Sequence, residues 1–464
     1  MSNFPRAPER VAGLVGRVAG LTELEAGPGV VAGPRGDGSE NWPLAVRIGN
    51  LALGTPVMLA PMAGVTNPPF RQLCREFGEQ ALADLGVGAL RQTGLDGRNA
   101  SQVDQGFSEI PSFRPGSYAP AGLYVCEMIT SRALIERTPE TMRMIEPDMG
   151  DPVRSIQLYG VAPAAIAESV RLLVGNGWAD HIDLNFGCPV PKVTRKGGGS
   201  ALPWKHDLFA EIVEAAVKAA EAESGGAVPV TAKFRIGIDD DHETFRDVAR
   251  MCEDAGIAAL ALHARTMAQH YSGQARWEAI AELRAMTDLP VFGNGDVFEA
   301  EDALAMVEET GAVGVVVGRG CQGRPWLFYD LVAAAHGRSA RYRPSLGEVA
   351  DVIVRHAELS VEHFADEGRA MREMRKHVGW YLRGFSVGGE ARRDLGLVDS
   401  LDDLRRQLGR LDLPQDYPEA AEGKRGRAGG EKRPHLPEFW LDSHELNEAQ
   451  RAKIHEAELG ISGG

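Results

Sequence analysis

The chain has 464 residues, 44% hydrophobic and 25% charged, with 50 Lys and Arg against 65 Asp and Glu and a formal net charge of −15. That size allows one large core and a smaller one. No apolar stretch is long enough to cross a bilayer and the N-terminus lacks a signal-peptide pattern, so no membrane association is expected and a cytoplasmic location is.

The five cysteines, Cys74, Cys126, Cys188, Cys252 and Cys321, are widely spaced without Cys-x-x-Cys or His-rich ligand patterns. Neither a disulfide framework nor a metal site is therefore expected. The acidic average counts only mildly against a nucleic-acid partner, because phosphate is bound by local clusters of Lys and Arg.

In chain order, residues 1–42 are rich in Gly, Pro and Ala without apolar periodicity and read as a disordered leader. Eight short apolar runs follow, at 56–60, 123–127, 155–158, 181–185, 230–235, 259–263, 290–294 and 314–318. Helix-length stretches separate most of them, including Pro163 to Leu173, Leu208 to Ala222, Glu243 to Ala255 and Ala300 to Glu309. Strand–helix alternation at this spacing demands parallel pairing, and eight units predict an α/β fold, a (β/α)8 TIM barrel over residues 43–335. A doubly wound open sheet is the rival, but no Gly-x-Gly-x-x-Gly follows the first run. Residues 79–120, with several Gly, Pro and Ser, interrupt the count and are expected to be a surface insertion.

In such a barrel, polar residues at strand C-termini converge on one mouth. Gln157, Asn185, Lys233, His263 and Asn294 each stand at or near the end of an apolar run. Any one of them alone is equally well explained as a cap or turn residue; five together point to a site. Cys188 follows the fourth run on a loop soon loosened by Gly197, Gly198 and Gly199. In isolation a free cysteine reads as a small buried hydrophobe, so its company matters.

After the seventh and eighth runs come Asn294-Gly295-Asp296 and Gly318-Arg319-Gly320, tight turns with exposed N–H groups where these barrels bind phosphate. Arg319 adds a permanent forked cation. Together they suggest a phosphorylated cofactor such as FMN, with Lys233 facing a reduced flavin ring and His263 holding a ring oxygen or the phosphate.

The runs Ala60-Pro-Met-Ala-Gly-Val-Thr-Asn67, Asp183-Leu-Asn-Phe-Gly-Cys-Pro189, Lys196-Gly-Gly-Gly-Ser-Ala-Leu202, Lys233-Phe-Arg, His263-Ala-Arg-Thr266, Asn294-Gly-Asp296 and Gly318-Arg-Gly-Cys-Gln-Gly-Arg-Pro-Trp-Leu-Phe328 resemble the tRNA-dihydrouridine synthases, closest to the bacterial B type. The resemblance extends through Arg372 to Leu382 and covers roughly residues 44–385 apart from the insertion. It implies an FMN enzyme that reduces selected tRNA uridines to dihydrouridine, with NADPH as electron donor. Carried onto matching positions, Pro61, Met62 and Ala63 lie against the flavin and Gln157 and Lys233 contact its ring. Asn294, Gly295 and Asp296 with Gly318 and Arg319 hold the phosphate, and Cys188 donates a proton to uracil C5. Asn185 is expected to bond the uracil edge or position the loop. The family often has Met or Cys where Phe186 stands, a packing difference.

After the barrel, residues 336–418 read as a smaller all-helical domain. A step of about 100° per residue sets Arg369, Arg372, Lys376, Trp380 and Arg383 on one stripe of a helix, with Met374, Val378, Tyr381 and Leu382 on another. A basic stripe is usually a solvated face. With Arg195 and Lys196 flanking the cysteine loop, tRNA phosphate contact is the favoured reading. Residues 419–464 read as a basic flexible linker and a helix over 443–459, with a tether as the default reading and extra RNA contact as the alternative. A monomer is expected. Two other classes remain: a small-molecule FMN oxidoreductase, which leaves the basic helix unexplained, and a non-catalytic RNA-binding protein on an inherited barrel.

Overall fold

A computed structural model describes residues 46–87, 116–146, 150–339, 341–426 and 429–459. The expected leader and most of the expected insertion lie outside the described residues.

An antiparallel hairpin of β1 (Val46–Ile48) and β2 (Leu51–Leu53) precedes β3 (Val57–Leu59), the first barrel strand. The short β4 (Tyr118–Ala119) pairs with β2. The second barrel position is split: β5 (Leu123–Tyr124) pairs with β3, while β6 (Ile129–Thr130) pairs with β7 (Ser155–Tyr159). The Cys126 N–H donates to Ser155 O at 3.0 Å across the break. Then come β8 (His181–Phe186), β9 (Val230–Arg235), β10 (Ala259–His263), β11 (Val291–Asn294) and β12 (Gly314–Val317). Each is parallel to the last, and β12 returns to β3. The result is a closed (β/α)8 barrel.

Helices open and close where residue chemistry allows. Proline starts Pro68–Asp84, Pro139–Met144 and Pro163–Gly175, where its missing N–H has no intrahelical partner to lose. Left-handed Gly225, Gly256 and Gly311 end the helices His206–Ser224, Phe245–Ala255 and Ala300–Thr310. The outer faces of the strands and the inner faces of the helices form the main core. The β1–β2 hairpin packs with inward-facing Met58, Ala259, Ala261, Phe292 and Val316 to plug one end of the barrel.

The expected insertion begins later than its sequence suggests. Glu79 to Asp84 continue the helix from Pro68, held by Arg75–Glu79 at 3.1 Å and Gln80–Asp84 at 2.7 Å, and Tyr118–Ala119 is already strand. Gly78, inside this helix, is a packing residue: a Cβ there would lie 2.6 Å from the Tyr124 hydroxyl.

After the barrel come the helices Leu346–Phe364, Glu367–Tyr381, Gly389–Leu395 and Leu401–Leu408, giving the helical portion. A capping box of Ser345 and Glu348 starts the first of them. Met374, Val378, Tyr381 and Leu382 are buried as their stripe requires. This layer docks on the barrel helix Pro68–Asp84, where Phe70 packs between His356 and His377 and Arg355 pairs with Glu76 at 2.8 Å.

The tail is not a free tether. Trp440 is 2% exposed, lies over Gly197 and donates from Nε1 to Ala201 O at 2.9 Å. Lys205, fully buried, donates to Ser443 O at 2.6 Å and Glu445 O at 3.1 Å, and Arg451 pairs with Asp207 at 2.6 Å. The last helix spans Glu448–Leu459, shorter than 443–459, because residues 440–447 are spent on this docking. Glycine- and charge-rich composition hid a segment whose anchor is one tryptophan.

Candidate active site

Strand alternation builds the site. The register sets Gln157 beside Asp183, Asp183 beside Thr231, Asn185 beside Lys233, and His263 between Arg235 and Asn294. Residues two apart on a strand share a face, so these side chains all enter the barrel at its C-terminal end.

One wall of the mouth holds Cys188. Four of the five cysteines are buried, and Cys188 alone is partly exposed. Its N–H and that of Gly187 both donate to Asn185 Oδ1, at 3.0 and 3.1 Å, and its carbonyl accepts from Ser200 N at 3.0 Å. Asn185 Nδ2 donates to Gln157 Oε1 at 2.7 Å, Gln157 Nε2 donates to Asp183 at 2.7 Å, and Thr231 Oγ1 donates to the other Asp183 oxygen at 2.7 Å. Asn185 therefore positions the cysteine loop, and Gln157 keeps only part of its amide for a ligand. Burial pushes the Cys188 thiol up from its ordinary value, opposed by the Val190 N–H and the Arg235 charge. A thiol so placed stays protonated at neutral pH.

The opposite wall is cationic. Lys233 Nζ donates to Asn294 Oδ1 at 3.0 Å, and Asn294 Nδ2 donates to Val316 O at 2.7 Å. Burial, then Arg235, lowers the Lys233 ammonium to about 8, with Asp183 opposing. His263 is driven well below its usual range by burial and by Arg235, Lys233, Arg265 and Arg319, so it is a neutral hydrogen-bonding group.

Gly295, at φ +127°, and Asp296, at φ +59°, form the turn after β11. The Asp296 carboxylate is held by Arg265 Nη2 at 2.7 and 2.8 Å and by the Ala275 N–H at 2.7 Å. The carboxylate is thus spent on Arg265 and the Ala275 N–H, with Arg319 Nη2 3.9 Å from it. Arg265 Nη1 is buried without a hydrogen-bond partner among the described residues and would lie 3.6 Å from a Cβ on Gly295. A Cβ on Gly318 would sit 3.5 Å from that of Ala60 and 3.7 Å from Met62 Sδ, which brings the Pro61–Ala63 loop against the turn after β12. An orphaned guanidinium nitrogen and four converging cations fit a phosphorylated, anionic cofactor.

Sequence reading missed three of these residues. Arg235 donates from Nε to Gly187 O at 2.8 Å, tying β9 to the cysteine loop. Tyr271 lies under both Arg235 and Arg319, at 5.5 and 4.5 Å. Arg265 was hidden as a motif letter. Arg235 had a signal, being two residues beyond Lys233 on the same face.

A protein-family model described as "Dihydrouridine synthase (Dus)" matches residues 58–416. The chain belongs to the dihydrouridine synthase family. It is 51% identical over 385 residues to a "Probable tRNA-dihydrouridine synthase" of Mycobacterium leprae (strain TN), covering 83% of this chain and 95% of the relative. Identity is 49% over 398 residues to the one of Mycobacterium tuberculosis (strain ATCC 25618 / H37Rv), covering 86% and 92%. Against the "tRNA-dihydrouridine synthase B" of Pseudomonas aeruginosa it is 36% over 360 residues, covering 77% and 92%.

In this family member Phe186 is buried and packs on Phe209 at 4.6 Å between ring centroids. The residues expected to meet substrate do not form one cluster. Arg372 and Lys376 are exposed on the helix Glu367–Tyr381, and Lys376 reaches towards Gly64 beside the Pro61–Ala63 loop while pairing with Glu373 at 2.6 Å. Arg369 is diverted to Glu140 at 2.7 Å. Trp380 and Arg383 line a separate depression with Arg392 and Arg425. Arg195 is exposed with Nη2 3.4 Å from His435 Nδ1, and Lys196 is half-buried in the glycine loop. Among the described residues no helix is long and apolar enough to cross a membrane.

Lys233 gives the site a pH dependence. Below about 8 it is a cation in the mouth of the barrel, and above that it is neutral. A bound anion favours the charged form, so FMN affinity should fall as pH rises through and beyond about 8. Fluorescence titration of apoprotein with FMN should show that limb, and Lys233→Met should weaken binding at neutral pH and flatten it. An identical pH profile in the variant contradicts this role.

Proposed function

We propose that this chain reduces specific uridines of tRNA to 5,6-dihydrouridine, using FMN in the mouth of the barrel and NADPH as electron donor. The observation that carries the reading is the division of the mouth: a protonated thiol on the β8 loop faces a cationic cradle built from β9 to β12. FMN, when bound, supplies the hydride that uracil receives at C6.

Pro61, Met62 and Ala63 flank the ring, and Lys233 sets a positive charge against it, with Gln157 and His263 as hydrogen-bonding neighbours. Asn294, Gly295, Gly318 and Arg319 hold the phosphate, and Asp296 acts through Arg265. Hydride addition at C6 leaves enolate-like charge that a proton at C5 must quench. Cys188 donates that proton from the other face as a general acid, and its partial exposure lets solvent restore it. Asn185 keeps the thiol in place through the loop backbone. The uracil must leave the folded tRNA to reach the pocket, at a cost of a few kcal/mol that phosphate contacts offset. Arg372, Lys376, Trp380, Arg383, Arg195 and Lys196 are the proposed contacts. All of these residues come from one chain, so a monomer suffices.

The test is incubation of the yellow, flavin-loaded protein with NADPH and unmodified tRNA or free uridine. Dihydrouridine should form in the tRNA alone. Turnover of free uridine without tRNA, or a protein that takes up no flavin, contradicts the proposal.

A further inference from the structure

The C-terminal segment beyond the family match, which ends at residue 416, crosses the barrel mouth. Gly426 lies against Arg319 of the β12 turn, where a Cβ would be 3.0 Å from Arg319 Cδ. The Lys432 N–H donates to Ala268 O, after β10, at 2.8 Å. His435 Nδ1 is 3.4 Å from Arg195 Nη2, on the cysteine loop side, and Trp440 then anchors the segment over Gly197. Three mouth loops are spanned in about fifteen residues, a reach that extended backbone covers easily.

Charge follows the same path although the chain as a whole carries −15. At the start, Arg383, Arg392 and Trp380 line one depression without a carboxylate, over a buried Arg425 whose guanidinium donates to the carbonyls of Gln322, Trp380 and Ala421. Lys432 and Arg433 are exposed, and neither side chain is paired with an acid among the described residues. Glu431 is the one acid between 425 and 435 in the described part. The charged groups acting on His270, beneath the crossing, are Arg235, Lys432 and His435, all basic.

We infer that Lys432, Arg433 and His435 form a track for the phosphodiester backbone of tRNA, closing a basic rim that runs from the helix Glu367–Tyr381 to Arg195. This rests on the function proposed above. The segment faces a polyanion across the mouth from Lys376, so a tRNA arm is held on both sides while its base is inserted. Docking by Trp440 fixes the track, so the phosphates meet a preformed surface.

The test is binding of unmodified tRNA transcript across a salt series, with steady-state reduction, for the flavin-loaded wild type and a Lys432→Glu/Arg433→Glu variant. Affinity should drop about tenfold at moderate salt and the log–log salt slope should become shallower by about 1 to 2. KM for tRNA should rise while kcat at saturating tRNA and flavin content stay at wild-type values. Lys218→Glu, on the exposed face of the helix His206–Ser224, should alter none of these. A wild-type slope and KM in the double variant overturn the track, as does an equal effect from Lys218→Glu. If the charge reversal disturbs folding, Lys432→Gln/Arg433→Gln with the same readouts decides the matter. A wild type that neither binds nor reduces tRNA overturns the proposed function itself, which separates the two failures.

Discussion

Replacing Cys188 with alanine should leave flavin content and tRNA affinity intact while the reduction step slows by about 10²- to 10⁴-fold, the usual contribution of a positioned general acid. The thiol takes no part in the cationic cradle, whose members are tied to one another by Lys233–Asn294 and Arg265–Asp296. Its loop is held through backbone atoms by Asn185, Ser200 and Arg235, and none of these bonds uses the sulfur. Burial raises the thiol above its ordinary 9.0, so the wild-type rate should hold through neutral pH and decline only in alkali. Single-turnover reduction of tRNA by the pre-reduced enzyme reads this out. A variant with wild-type rate would remove Cys188 from the chemistry, and one that loses its flavin would make it a structural residue.

Trp440→Ala should release the C-terminal segment. A buried tryptophan truncated to alanine costs roughly 3 to 5 kcal/mol, and here the indole also gives up its bond to Ala201 O and its contact under Lys205 at 5.1 Å. Hydrogen exchange should show amides 440–454 losing protection while the barrel strands keep theirs. The loop Gly197–Gly199 loses its cover in the same step, so reduction should slow without loss of flavin. Unchanged protection over 440–454 would mean that the segment is held by its polar contacts alone, through Lys205, Asp207 and Arg451.

The barrel was legible because burial on both faces makes parallel strands read as continuous apolar runs, and Ala259 to Leu262 or Gly314 to Val317 leave little ambiguity. Polar residues at strand ends stood out against that background, which is how Lys233, His263 and Asn294 could be found. Arg265 and Tyr271 could not. Both act from loops, where a polar or aromatic residue is unremarkable, and only the three-dimensional path puts Tyr271 under two guanidinium groups. Asp296 was expected at the phosphate from its place in the turn, and the pairing of its carboxylate with Arg265 is visible only in three dimensions. The tail misled for a different reason: its docking rests on one tryptophan in a glycine- and charge-rich stretch, helped by backbone carbonyls of Ser443 and Glu445 that no residue type announces.

The central claim is that uracil receives its two hydrogens from opposite walls of the mouth, the C5 proton coming from Cys188. Reduction of tRNA in D2O with NADPH deuterated at C4 of the nicotinamide, followed by release of the nucleoside and measurement of the relative configuration at C5 and C6 by NMR, tests it most directly. The account predicts that the two added deuterons lie on opposite faces of the ring. Addition of both to the same face would contradict it.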